Sequence, residues 1–313
     1  MQGKIFYDFD LMRMNELLRA GTVALEKAGI VSSATDARVL LQCCLDRNRI
    51  ELLLHGDEDV DRSRELLYFQ YIDRRGNHEP VAYILGRCEF WSLPFKLTDD
   101  VLIPRPETEF LLDRVLAMAR KENLQKGRIL DLCCGSGVIS VVLARETGQR
   151  VLAVDISPAA LAVAGMNRNE HNLDSRIDLL CSDLCSALCL QNQFSLVVTN
   201  PPYVSTSAIQ YSLEKDVAAF EPHLALDGGE NGLDVIRRIR SDLPLMLVPG
   251  GEIFMEIGSD QGKAVENIFL ENKTVLPGFV QVKIITDYAG LDRVLYAQLD
   301  SGNTEVSHGK TDS

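Results

Sequence analysis

The sequence contains nothing approaching the run of roughly 20 uncharged apolar residues that a bilayer-crossing helix requires, so a helical membrane protein is excluded. Lys4, Asp8, Asp10 and Arg13 break up the N-terminus, which therefore lacks a signal-peptide pattern, and a cytoplasmic protein is expected. Basic residues are in deficit: 32 Lys and Arg stand against 45 Asp and Glu, for a net charge of −13. A surface built mainly to neutralise phosphates is thereby disfavoured, and direct nucleic-acid binding is not expected. The eight cysteines show no pair of C-x2-C motifs. Cys181, Cys185 and Cys189 recur at a spacing that a helix would align, yet reduced cysteines commonly serve as small buried apolar residues, and no metal is expected. There is no internal repeat.

What is present is a chain of 313 residues, 46% hydrophobic and 25% charged, enough for one large or two medium domains with sizeable cores. Residues 1–87 read as a small helical unit. One amphipathic stretch carries Leu17, Leu18, Leu25 and Ala28 up to Gly29; Ser33 and Asp36 resemble a capping box before Ala37, Leu40, Leu41, Cys44 and Leu45. Asp61 or Ser63 caps a third helix that ends at Gly76. Residues 88–103 switch to short aromatic and β-branched runs separated by Ser92-Leu93-Pro94, which predicts a hairpin linker. Pro106 suits the first turn of a helix through Phe110, Leu111, Val115 and Met118.

Over residues 104–300 strand and helix alternate. Strands are expected at 128–132, 151–154, 177–180, 196–198, 252–257, 280–285 and 293–299, and helices at 139–144, 159–167, 232–247 and 261–271. The fold class is α/β, a Rossmann-like parallel sheet wound on both faces. The last two strands are joined too tightly for a helical crossover and must pair antiparallel. Residues 301–313 are polar and read as a disordered tail.

Ligand chemistry in such sheets belongs at the C-terminal edge of the strands, and four segments converge there. After the first strand runs Asp131-Leu132-Cys133-Cys134-Gly135-Ser136-Gly137, whose glycines let the backbone approach a ligand. It is neither a full dinucleotide fingerprint nor a P-loop. Asp155 ends the second strand, where a carboxylate accepts from ribose hydroxyls; capping of the next helix is the alternative duty. Asp183 and Leu184 follow the third strand, suited to the amino group and face of an adenine, or else a loop acid and a core leucine. Asn200-Pro201-Pro202-Tyr203 follow the fourth. A carboxamide, proline-stiffened carbonyls and an aromatic ring form a receptor for a flat NH2-bearing group, although Asn-Pro also marks ordinary turns.

In this order the segments resemble an amino-group S-adenosylmethionine-dependent methyltransferase. The resemblance extends over nearly the whole chain. Tyr83-x-x-Gly86-x-x-Glu89-Phe90, Leu102-Ile103-Pro104-Arg105-Pro106-Glu107-Thr108-Glu109, Val198-Thr199 with the Asn-Pro-Pro-Tyr stretch, Glu221-Pro222-His223-Leu224-Ala225-Leu226 and Gly290-Leu291-Asp292-Arg293 are similar to signatures of the PrmC (HemK-like) protein-(glutamine N5) methyltransferases. That resemblance implies a seven-stranded methyltransferase domain behind a helical substrate-recognition domain. It also implies methylation of the glutamine in the Gly-Gly-Gln motif of class 1 peptide-chain release factors. By the same resemblance Asp131 and Cys133 to Gly137 hold the methionine part of S-adenosylmethionine, Asp155 its ribose, and Asp183 and Leu184 its adenine. Asn200 borders both cofactor and substrate, Asn200 to Tyr203 hold the glutamine amide, and Asn200 and Pro201 act on it as catalytic groups. Cys133-Cys134 departs from the family's small pair, and a Cβ at position 133 is expected to avoid a backbone conformation that favours glycine. For Glu107, Arg105 and His223 the structural alternatives are helix capping, an ion pair and a core or loop histidine, and a structural role is expected for His223. A monomer is expected. An adenine-N6 or cytosine-N4 methyltransferase shares the active-site logic, and a degenerate fold that only binds is the non-enzymatic alternative.

Overall fold

The computed structural model describes residues 11–119, 127–188, 193–211, 215–271 and 278–301. The chain divides into two units, Met1–Arg87 and Cys88–Ser313. Among the described residues, no helix is long and apolar enough to cross a membrane.

The first unit is helical: α1 (Met14–Lys27), α2 (Ser33–Leu45), α3 (Arg49–Leu54), α4 (Arg62–Gly76) and α5 (Val81–Leu85). Leu17, Leu25, Leu40, Leu41 and Tyr68 form its core. The expected capping box at Ser33 is displaced, because Ser32 is the N-cap residue and its hydroxyl donates to Asp36 Oδ2 at 2.7 Å. Asp61 does cap α4, accepting from the Arg64 N–H. The short helices α3 and α5 had no legible sequence period, having six and five residues.

The second unit opens with the hairpin β1 (Arg87–Phe90) and β2 (Leu93–Lys96), then α6 (Pro106–Met118). There follow β3 (Arg128–Leu132), α7 (Val138–Thr147), β4 (Val151–Asp155), α8 (Pro158–Glu170), β5 (Ile177–Cys181) and β6 (Phe194–Thr199). Three short helices come next, α9 (Thr206–Tyr211), α10 (Lys215–Phe220) and α11 (His223–Leu226), which the sequence reading missed. The unit ends with α12 (Asp234–Met246), β7 (Leu247–Glu256), α13 (Gly262–Leu270), β8 (Phe279–Thr286) and β9 (Asp292–Leu299). The larger sheet has seven strands in the order β5-β4-β3-β6-β7-β9-β8. Strands β5 to β7 are parallel, and β9 runs antiparallel to both β7 and β8, as the short connection requires.

Neighbouring residues on each strand enter opposite cores. Ile129, Val198 and Phe254 face one core with α6, α7 and α8, whereas Leu130, Val197 and Ile253 face the other with α12 and α13. Burial on both faces explains why these strands read as continuous apolar runs rather than alternations. The hairpin belongs to the first of these cores through Phe90 and Phe95.

A buried asparagine ties the hairpin to the sheet edge. Asn167 Oδ1 accepts from the Lys96 N–H at 2.7 Å, while its Nδ2 donates to the Lys96 carbonyl at 3.1 Å and to the Ser136 carbonyl at 2.9 Å. Asn167 is fully buried and truncation removes the partner of three backbone groups, so Asn167→Ala should lower unfolding free energy by about 2–3 kcal/mol. Urea denaturation measures this; an unchanged midpoint would show that the tie contributes nothing.

Candidate active site

The C-terminal ends of β3, β4, β5 and β6 open onto a cavity of about 210 Å³. Of the residues expected to meet cofactor or substrate, Cys133, Cys134, Gly135, Ser136, Asp155, Asp183, Leu184, Asn200 and Pro202 line it. Asp131, Gly137, Pro201 and Tyr203 are not among the lining residues.

The glycine-rich loop is set by backbone hydrogen bonds. The Cys134 N–H donates to the Val154 carbonyl at 3.0 Å and the Gly137 N–H to the Cys134 carbonyl at 2.8 Å. To leave β3 and still reach β4, the chain turns at Cys133, whose φ is +59°. The expectation that a Cβ at 133 avoids the left-handed region is therefore wrong: the loop requires that turn, at a cost of about 1 kcal/mol for a non-glycine residue. At Gly137, φ is +80° and a Cβ would stand 3.1 Å from the Ala164 Cβ, so this position does need glycine. Burial pushes both the Cys133 and the Cys134 thiol well up, which leaves them protonated packing groups rather than nucleophiles. Cys181 ends a strand instead of joining a helix with Cys185, and Cys189 lies outside the described residues.

Asp155 shapes the same loop. Its Oδ2 accepts from the Gly135 N–H at 2.8 Å and its Oδ1 from the Ser157 N–H at 2.9 Å. Ser157, not Asp155, caps α8, accepting from the Ala160 N–H. A carboxylate has about four acceptor positions, and the Ile156 N–H addresses a further one, so capacity remains for a ligand's hydroxyl. Burial raises the Asp155 pKa, and the backbone N–H groups of Ser157, Gly135 and Ile156 oppose that rise. Asp183 is exposed and accepts from Arg238 Nη2 at 2.7 Å; Arg238, which sequence reasoning passed over, lines the cavity beside it. Ile156, Leu184 and Val235 add an apolar wall. Two carboxylates beside apolar side chains fit the ribose and base of a nucleoside cofactor.

Beneath the loop, Asp131 is fully buried; its Oδ2 accepts from the Ser140 hydroxyl at 2.6 Å. Desolvation first, offset in part by Ser140, pushes its pKa up to about 7.

The Asn-Pro-Pro-Tyr stretch is held by a polar network that crosses from the loop to α6 and β7. Asn200 Nδ2 donates to Thr108 Oγ1 at 3.1 Å. The Thr108 hydroxyl donates to Glu256 Oε2 at 2.8 Å, and the Tyr203 hydroxyl to Glu256 Oε1 at 3.1 Å. Glu256 is fully buried, and desolvation pushes its pKa up to about 7. The Tyr203 carbonyl accepts from Gln261 Nε2 at 2.9 Å. Thr108 lay inside the motif-rich string that runs into α6, and Glu256 was a charged residue in an apolar strand; both signals were there to be used. Arg105 donates to Glu221 Oε1 at 2.5 Å, joining the segment before α6 to the start of α11, and His223 is exposed at the first residue of that helix.

Two family models match: the PrmC N-terminal domain over residues 16–86 and the methyltransferase small domain over residues 107–230. The release factor glutamine methyltransferase of Clostridium acetobutylicum is 40% identical over 264 residues, 84% of this chain and 90% of that protein. Its counterpart in Caulobacter vibrioides is 38% identical over 283 residues, 89% of this chain and 95% of that protein. Among solved structures, the hMettl16 catalytic domain in complex with MAT2A 3'UTR hairpin 6 aligns with a TM-score of 0.50 at 13% identity, over 78% of this chain and 84% of that one, a likeness of fold alone. Sheet order, cofactor loop and these matches define a class I S-adenosylmethionine-dependent methyltransferase. Within that class, the chain belongs to the release factor glutamine methyltransferase family.

Two outcomes are expected. Asp155→Ala removes a charged acceptor worth roughly 1.5–3 kcal/mol and should weaken S-adenosylmethionine binding about tenfold or more by calorimetry; unchanged affinity would remove Asp155 from the site. Asp131 has its pKa raised from 3.8 to about 7, so between those values the folded state holds a proton that the unfolded state has lost. Its contribution to stability is full below the unfolded pKa and is lost as pH rises to about 7. Denaturation of Asp131→Asn at acidic and mildly basic pH should show that loss removed relative to wild type.

Proposed function

We propose that this protein transfers the methyl of S-adenosylmethionine to the side-chain amide nitrogen, N5, of the glutamine in the Gly-Gly-Gln motif of class 1 release factors, so acting on translation termination. One observation carries the reading: Asn200 lines the cavity at the end of β6 with its NH2 already engaged by Thr108. Its Oδ1 is then the end offered to a ligand, an acceptor suited to a substrate N–H. Bound S-adenosylmethionine supplies an electrophilic methyl on a sulfonium.

The residues of the chain address the weakness of the nucleophile. An amide nitrogen delocalises its lone pair into the carbonyl, and attack requires that delocalisation to be reduced. Acceptance of one N–H by Asn200 Oδ1 and the other by the Pro201 carbonyl, out of the amide plane, turns the lone pair toward the methyl. The flanking prolines fix φ and keep that carbonyl in place. Tyr203 packs on the amide, its hydroxyl held by Glu256 and its carbonyl by Gln261. No strong base is required, since the nitrogen becomes acidic on alkylation and loses its proton late.

Asp155 holds the ribose, Asp183 and Leu184 the adenine region, and Cys133 to Gly137 the methionine part, with Asp131 supporting the loop from below. The helical first unit recognises the release factor. The enzyme works in the cytoplasm as a monomer. The net charge of −13 supports a protein substrate over a nucleic acid.

Asn200→Ala should leave melting and cofactor affinity near wild type and lower single-turnover methylation of a release factor on the order of 10²–10³-fold, the usual loss for a preorganised transition-state hydrogen bond. A folded variant with near-normal turnover would reduce the stretch to a stiff turn.

A further inference from the structure

We propose that Glu256 is a positioning residue that, through Thr108, fixes which end of the Asn200 amide faces the cavity, and so restricts the site to nucleophiles that present N–H groups. The inference rests on the reading of Asn200 as the acceptor for the substrate amide. It assigns to a residue of β7, which lies outside the cavity lining, control over the polarity of one within it.

A threonine hydroxyl has one hydrogen and can donate once. In the structure that hydrogen goes to Glu256 Oε2, so Thr108 Oγ1 meets Asn200 only as an acceptor. Asn200 must then turn its NH2 to Thr108, which leaves Oδ1 as the end it offers elsewhere. The polarity of the whole chain originates in a carboxylate that accepts at both oxygens, from Thr108 and from Tyr203.

A protonated Glu256 carries a hydrogen of its own. It can donate to Thr108, freeing Thr108 to donate to Asn200 Oδ1, and the amide can then rotate to present NH2 to the cavity. That reversed site would repel a substrate NH2 and accommodate a carboxylate. The ionised form thus discriminates glutamine from glutamate at the target position, because a glutamate side chain brings only acceptors to Asn200 Oδ1.

Glu256 is placed so that its charge state is not fixed. Desolvation pushes its pKa up to about 7, opposed by the hydroxyls of Thr108 on α6 and Tyr203 on the loop after β6 and by Arg293 of β9, and assisted by Glu107 of α6. Arg293 itself contacts Asp287 at 3.2 Å, so it is a partner shared with another carboxylate. Since the folded-state pKa is raised, ionisation costs stability as pH rises toward 7, and the neutral isostere Gln should melt no lower than wild type at basic pH.

The test uses the full-length protein, S-adenosylmethionine, and an unmodified release factor carrying Gly-Gly-Gln or Gly-Gly-Glu. Wild type is assayed first: no methyl on the glutamine would overturn the underlying reading of the site before any variant is compared. Given an active wild type, Glu256→Gln should lower kcat about ten- to a hundredfold with cofactor affinity and melting retained, and should abolish a rise in wild-type kcat/KM centred near pH 7. Thr108→Val should match that loss, and Thr108→Ser, which keeps the hydroxyl, should recover most of it. Binding of the Gly-Gly-Glu form should strengthen relative to Gly-Gly-Gln in Glu256→Gln. Wild-type kcat and an unchanged pH limb in Glu256→Gln would overturn the inference while leaving the methyltransferase reading intact, as would losses that merely track melting. Where Glu256→Gln does not fold, the split between Thr108→Val and Thr108→Ser decides in the same way.

Discussion

A single buried carboxylate holds the polar end of this molecule in order. Glu256 closes the last parallel strand among apolar neighbours, and its two oxygens take hydroxyl hydrogens from α6 and from the loop after β6. Without those donors the charge would be costly at that depth. With them, three segments far apart in sequence are locked together at the sheet edge, and Asn200 is held by the same bonds. The orientation of the Asn200 side chain thus depends on one constraint.

The rest of the site follows from strand order. Because β3 and β4 lie side by side, the turn after β3 falls within reach of the acid that ends β4, and Asp155 binds the Gly135 N–H across that gap. The central position of β3 between β4 and β6 likewise brings the glycine-rich loop beside Asn200. Asn167 extends the arrangement outward by tying the Ser136 carbonyl to the hairpin backbone. The cavity is in this sense a product of adjacency at one edge.

Much of this was legible in the residues. The β3 span was read to the residue because Ile129, Leu130 and Leu132 fall between Gly127 and the loop glycines, and the antiparallel β8 and β9 followed from the length of their connection. The chemistry-bearing stretches were legible because they sit at strand ends, where an acid or a carboxamide interrupts a hydrophobic pattern. Partnerships were not. Nothing in the local sequence says that Thr108 reaches Glu256, 148 residues away, or that Asn167 pairs with Lys96. Such contacts are decided by tertiary packing, which also overrode the glycine preference at Cys133. The short helices between β6 and α12 escaped because their periods are too brief to register.

The account's central claim is that the cavity receives a glutamine side-chain amide. Its most direct measurement is fragmentation mass spectrometry of a release factor incubated with this protein and S-adenosylmethionine. The account predicts one added methyl on the side chain of the Gly-Gly-Gln glutamine. A methyl on any other residue, or none on a folded factor, would contradict it.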